Sequence, residues 1–283
     1  MTQASDISPQ TGPAGAQPVP QALPPRAYLP RFASLRTIYA LILREMITSY
    51  VRTPGGYLWA LLEPALGLLL MVAIFSVGFR SPPIGSNFAI FFASGLLPFA
   101  MYMNVSTRVA QAINQSRQLL NYPRVTFMDA LLARLILTVL TNLTVSCIIF
   151  AAILVFTETR TILDLPRILM SFAMAVVLGF GIGALNAVLI SRHQLWQTVW
   201  ALLNRPLMLI SGVLFLHTML PEPYSTWLEW NPLVHVTGEM RRGFYYSYHG
   251  EYVSPHYVFG IGLVTSVAGI LFLKRYFQEL LER

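Results

Sequence analysis

Lysine is almost missing from this chain. Of nineteen Lys+Arg in 283 residues, Lys274 is the single lysine and the rest are arginine. A phosphate-binding P-loop needs Gly-x-x-x-x-Gly-Lys-Ser/Thr, because its backbone N–H groups cradle the phosphates and its lysine reaches the β- and γ-phosphates. Ile270-Leu271-Phe272-Leu273 precede Lys274, so ATP cannot be held by that motif. Cysteine is equally scarce: Cys147 alone allows neither an intrachain disulfide nor a cysteine-based zinc site, and its apolar neighbours suggest an inert buried thiol. His193, His217, His235, His249 and His256 are scattered, and none pairs in the His-Glu-x-x-His manner of a metal site. Charge as a whole is rare, at 11% of residues, where soluble domains carry roughly 25%. With 55% apolar residues and a mean hydropathy of +0.58, a soluble fold of this size could not hide its apolar surface. An all-α integral membrane protein is expected. The net charge of +7 sits between apolar blocks, which fits the positive-inside rule rather than a nucleic-acid partner.

Residues 1–32 hold seven prolines among Ala, Gln and Ser, a composition expected to stay disordered. They lack the basic start and apolar centre of a signal peptide, so a retained cytoplasmic tail is expected. In 33–52, Leu35, Ile38, Tyr39, Ile42, Met46 and Tyr50 recur at helical spacing, with Arg36, Arg44 and Arg52 on the other side. This predicts an amphipathic helix in the membrane interface, ended by Pro54-Gly55-Gly56. A membrane-crossing helix needs roughly 20 mostly apolar residues. Six stretches qualify: 58–79, 88–106, 135–156, 168–190, 195–216 and 257–273. The fourth carries Gly179, Gly181, Gly183 and Ala184, small residues that let helices approach closely. With the N-terminus inside, thirteen basic residues fall on inner segments and five on outer ones, Arg205 lying within a span. That excess puts both termini in the cytoplasm.

Two connections are longer than six helices require. The inner one, 107–134, is polar, basic and helix-patterned to Leu120, then broken at Asn121-Tyr122-Pro123. The outer one, 217–255, is rich in Tyr and Trp and interrupted by Pro221, Pro223 and Pro232. Short re-entrant helices in the outer leaflet would satisfy its backbone; an aromatic belt at the interface is the plainer reading, and both can hold. Among enzymes, an intramembrane serine protease would need a Ser–His dyad within hydrogen-bond reach. Ser94-Gly95 and His235 are the fragments on offer, but Phe92 stands where the usual motif has glycine, and His235 falls outside the spans. Ion-coupled transport needs intramembrane carboxylates or broken midplane helices, and the spans offer only Glu63 and Arg205. A passive pore or a permease driven by another protein remains.

The segment Pro54-Gly55-Gly56-Tyr57-Leu58-Trp59-Ala60-Leu61-Leu62-Glu63-Pro64 resembles the start of span 1 in ABC-2-type permeases that export polysaccharides. Asn121-Tyr122-Pro123-Arg124-Val125, followed by Asp129 and Arg134, resembles their second cytoplasmic signature. Trp230-Asn231-Pro232-Leu233 with His235, Glu239 and Arg242 resembles their last external segment. Motif order and six-span layout match together over about residues 33–280. The pattern is closest to the capsule-polysaccharide branch, and permeases for O-antigen, teichoic acid or small drugs share it.

The resemblance implies a transport subunit of the bacterial inner membrane, not an enzyme. Two permease copies would pair with two ATP-binding cassette subunits, which hold the ATP and magnesium. A lipid-linked polysaccharide would pass between the permeases toward a periplasmic adaptor and an outer-membrane channel. The interface helix and a coupling helix at about 110–122 would meet the ATPase, with Arg44, Arg52, Gln118, Asn121, Tyr122, Pro123 and Arg124 as the contact candidates. A glycan with acidic groups needs aromatic faces and a few cations, so Tyr57, Trp59, Glu63, Tyr102, Trp196, Trp200 and Arg205 are candidates for its path. Each aromatic fits a lipid-interface anchor as well, and Arg205 fits snorkelling or pairing with Glu63 as well as function. On the outside, Trp227, Trp230, Asn231, Pro232, His235, Glu239 and Arg242 form the external candidate set, with Arg241 and Arg242 facing glycan, adaptor or solvent.

Overall fold

The computed structural model describes residues 33–48, 55–120, 125–159 and 161–282. The chain separates into Met1–Ala33 and Ser34–Arg283, and the elements below belong to the second unit, with α1 starting at its boundary. The proline-rich tail, Arg52 and the Asn121–Arg124 motif lie outside the described residues. The helices are α1 (Ala33–Met46), α2 (Gly56–Gly78), α3 (Phe88–Ala110), α4 (Ala112–Leu120), α5 (Phe127–Phe156), α6 (Leu165–Arg192), α7 (Gln194–Ile210), α8 (Tyr224–Leu228), α9 (Pro232–Phe244) and α10 (Pro255–Glu282). A 3-10 turn, His217–Met219, precedes α8. No strand occurs among the described residues.

The helix starts follow from local chemistry. Asn87 accepts from the Ala89 N–H at 2.7 Å and caps α3. Thr126 and Asp129 exchange reciprocal bonds at the head of α5, Asp129 N–H to Thr126 Oγ1 (3.2 Å) and Thr126 N–H to Asp129 Oδ2 (3.0 Å). That is a capping box, and it gives the Asp129 of the second signature a structural task. Asp164 caps α6 ahead of Pro166, the position where proline's fixed φ is already helical.

Among the described residues, five helices are long and apolar enough to cross a membrane: Leu58–Gly78, Phe88–Ala110, Phe127–Phe156, Leu165–Arg192 and Pro255–Phe277. The expected fifth span, 195–216, is instead α7, which has 17 residues and ends at Ile210. At 1.5 Å per residue it rises about 25 Å, short of a hydrocarbon core of about 30 Å.

α6 is the centre of the bundle, packed against α3, α9 and α10. Its glycines make the approach possible on two sides. A Cβ at Gly183 would sit 2.8 Å from the Ser106 carbonyl oxygen on α3, and one at Gly179 would sit 3.0 Å from the Tyr102 carbonyl oxygen. A Cβ at Gly181 would collide with Thr265 and the Gly262 carbonyl on α10. Phe91, Phe92, Met101, Val105 and Met174 fill the core between these helices. α2 and α7 are peripheral, exposing Leu66, Leu69, Leu70 and Ile74 on the first and Leu195, Leu202 and Leu209 on the second.

Candidate functional site

α7 stops where composition alone would let it run on. Val213-Leu214-Phe215-Leu216 is apolar, but Ser211 leaves the helix and Gly212 takes φ 69°, a left-handed value that glycine adopts without strain. The carbonyls freed by the break find donors on α9. Asn231 Nδ2 donates to the Ile210 carbonyl (3.0 Å) and Thr237 Oγ1 to the Ser211 carbonyl (2.9 Å). Arg241 donates from Nη2 to the Val213 carbonyl (3.1 Å) and from Nη1 to the Phe215 carbonyl (2.9 Å). Its guanidinium lies over the Phe91 ring, 4.6 Å from the centroid. Without water at membrane depth, an unsatisfied backbone group costs several kcal/mol, so irregular backbone persists only where protein satisfies it. α9 supplies that satisfaction. It buries every residue except Pro232 and Arg242, which are half-buried, and with 13 residues it is too short to span. It lies in the connection that was expected to hold short re-entrant helices.

Asn231-Pro232 has a physical reason here. The Asn231 side-chain oxygen accepts from the Leu233 N–H (3.1 Å) and caps α9, Pro232 occupies the first turn, and the same amide's nitrogen caps the end of α7. Arg241, expected in an outer position facing glycan, adaptor or solvent, is instead 1% exposed and holds backbone. Arg242 pairs with the buried Glu239 at 2.9 Å. His235 donates from Nε2 to the Glu229 carbonyl (2.7 Å), and its Nδ1 accepts from the Ser254 N–H (3.2 Å), the tautomer that this network assigns. Tyr257 donates to the Trp230 carbonyl (2.8 Å), while the rings of Trp227 and Trp230 stay exposed. Nearby, burial pushes the Tyr252 phenol well above its ordinary range, so it stays a neutral partner for Tyr248, 2.9 Å away. Ser94 is fully buried and donates to the Phe91 carbonyl at 2.9 Å. With both nitrogens of His235 engaged elsewhere, the two residues form no protease dyad.

A second region is open where the first is closed. α1, α2, α3 and α5 enclose a cavity of about 640 Å³, within the roughly 300–1,000 Å³ range of small-molecule sites. Trp59, Glu63 and Gly67 of α2 line one wall. α3 contributes Arg108, Asn104, Ala100 and Leu96 at four-residue intervals, and α5 contributes Arg134, Thr138, Asn142 and Val145. Asn104 Nδ2 donates to Asn142 Oδ1 at 2.7 Å across the gap. Arg134 reaches Glu45 at the end of α1 at 3.0 Å, a pair separated by 89 residues in sequence.

The other sequence candidates are dispersed. Tyr57 and Gln118 lie within α2 and α4, and Arg44 is exposed on α1. Tyr102 is buried in the α3 core and does not line the cavity. Trp196 donates its indole N–H to Asn186 on α6 (2.8 Å) and fastens α7 there; Trp200 is half-buried one turn on. Arg205 is exposed on α7, away from the cavity, and forms no ion pair with Glu63 or any other described residue. Arg108, Arg134 and Glu45, which complete the charged end of the cavity, were not among the path candidates; the spacing of Arg108 from Asn104 on a span-facing stripe was the available signal.

Residues 36–245 match the model of the ABC-2 type transporter family. The chain belongs to that family and is a multi-pass membrane transport subunit, not an enzyme. It is 32% identical over 234 residues to the polysialic acid transport protein KpsM of Escherichia coli, covering 83% of this chain and 91% of that protein. It is 26% identical over 242 residues to the capsule polysaccharide export inner-membrane protein CtrC of Neisseria meningitidis serogroup A, covering 85% and 91%. It is 28% identical over 241 residues to the capsule polysaccharide export inner-membrane protein BexB of Haemophilus influenzae, covering 83% and 88%.

Proposed function

We propose that this chain is the membrane-spanning subunit of an ATP-driven exporter that carries a lipid-linked capsular polysaccharide outward across the bacterial inner membrane. The observation that carries the reading is the similarity, over more than four fifths of the chain, to three proteins named for polysialic acid transport or capsule polysaccharide export. Both termini face the cytoplasm, a second copy completes the permease, and two ATP-binding subunits supply ATP and magnesium. The absence of a lysine-bearing phosphate loop supports that division of labour. α1 and α4 are the surfaces on which the ATPase acts, and the Glu45–Arg134 pair ties α1 to a spanning helix. A periplasmic adaptor and an outer-membrane channel carry the glycan further.

The test is uptake of a labelled lipid-linked capsular glycan into inverted vesicles that hold the chain and its cognate ATPase. Uptake that needs ATP and both proteins is expected. Uptake of O-antigen, a teichoic acid or a small drug in preference to capsular glycan would replace the substrate, and ion conduction without ATP would replace the mechanism.

A further inference from the structure

The cavity between α2, α3 and α5 has a direction. At the end near α1 it is charged, with Arg108, Arg134 and Glu45. In the middle it presents the Asn104–Asn142 amide pair. Further in, Leu96, Leu97 and Val145 make it apolar. A charged mouth grading into an apolar groove complements an amphiphile lying along the helices rather than a free sugar or a bare ion.

The charged end is also underused. Arg134 is buried, and Glu45 takes only its Nη2 (3.0 Å), so Nε and Nη1 have no hydrogen-bond partner. Arg108 lines the same end, close enough for the two guanidinium charges to repel, and forms no hydrogen bond or ion pair among the described residues. Arg134 Nε and Nη1 are sealed from the cavity, so the exposed Arg108 guanidinium is the donor an oxyanion reaches, with short, charge-assisted bonds. Glu63 lines the cavity as well, so a headgroup that also carries donors fits better than a plain anion.

We propose that this cavity binds a membrane phospholipid, its phosphate on the Arg108 guanidinium beside the Arg134 charge, its glycerol or ammonium donors toward Glu63, and an acyl chain along Leu96 and Val145. The lipid phosphate has two sources, a bulk phospholipid or the lipid end of the exported glycan; only the second rests on the proposed function.

The experiment is native mass spectrometry of the full-length permease purified with its ATPase, stripped of lipid and titrated with phosphatidylglycerol, diacylglycerol or glycerol phosphate. Phosphatidylglycerol is expected to bind at least about tenfold more tightly than either fragment, since one charged hydrogen bond is worth roughly that factor. Arg108→Gln lowers the phosphatidylglycerol affinity by about tenfold, and Arg108→Lys recovers part of it. Ala100→Trp fills the groove beneath intact arginines and lowers the affinity without touching a charge. Unchanged affinity in both Arg108→Gln and Ala100→Trp, or diacylglycerol binding as tight as phosphatidylglycerol, overturns the site. Glycan uptake by vesicles separates the sources: uptake that falls with lipid affinity across these variants assigns the cargo's lipid end, and uptake independent of it assigns a bulk lipid. A wild-type protein that binds phosphatidylglycerol but moves no glycan overturns the proposed function and leaves the lipid site standing.

Discussion

Two buried arginines in this protein live under opposite terms. Arg241, on α9, spends both terminal nitrogens on the Val213 and Phe215 carbonyls and lies on the Phe91 ring. Arg134, on α5, holds one carboxylate and keeps two nitrogens unspent beside a cavity. The first region is closed: Asn231, Thr237 and Arg241 satisfy a broken helix end, and of the Arg241 nitrogens only Nε is left without an acceptor. The second is open: Arg108 and Arg134 line a cavity that side chains do not fill. Burial of a charge therefore does not by itself mark a functional site. What separates the two is how many of the charge's donors the protein engages, both terminal nitrogens of Arg241 against one nitrogen of Arg134.

Substitutions can break this comparison, beginning with the largest effect. Arg241→Met keeps shape but orphans two carbonyls, and should cost about 4 kcal/mol of stability, read from denaturant unfolding in detergent. Gly183→Val attacks the packing beneath both regions, since its Cβ would meet the Ser106 carbonyl and Val109 at 2.8 Å. About 2–3 kcal/mol should be lost, with the α3–α6 contact loosening first in hydrogen exchange. Arg134→Met should cost less than Arg241→Met, about 2 kcal/mol, because Glu45 is left partly exposed rather than sealed in; equal losses in the same unfolding assay would erase the distinction. Asn231→Ala removes one cap from each of two helices, and a fall of about 1 kcal/mol is expected. Arg205→Gln should move stability by less than about 0.5 kcal/mol, because the side chain is exposed and unpaired. Measured glycan uptake in that variant then reports on transport alone.

Much of this contrast was beyond sequence reading. The apolar stretches and the small-residue run on α6 were legible because each depends on neighbours in the chain. The end of α7 was not. Val213-Leu214-Phe215-Leu216 reads as more helix, and only side chains twenty or more residues away catch the carbonyls that let the chain turn. Arg241 was placed with the outer charges for the same reason: counting arginines by segment does not see whether a side chain turns inward to hold distant backbone. Arg205 drew attention as a cation in a span, yet the structure leaves it at the periphery, and the charged cavity is formed by Arg108 and Arg134 at the ends of apolar runs. The Glu45–Arg134 pair joins α1 to α5, and no local pattern announces it.

The glycines of α6 alternate between two neighbours, Gly179 and Gly183 against α3 and Gly181 against α10. At these positions backbone comes close to backbone on opposite sides of α6, with little side chain in between. Mechanically, α3, α6 and α10 make a laminated beam, while α2 and α7 are panels hung on its edges. Such a beam resists bending, so displacement should concentrate where the panels are hung, and those joints are the places to look for a hinge.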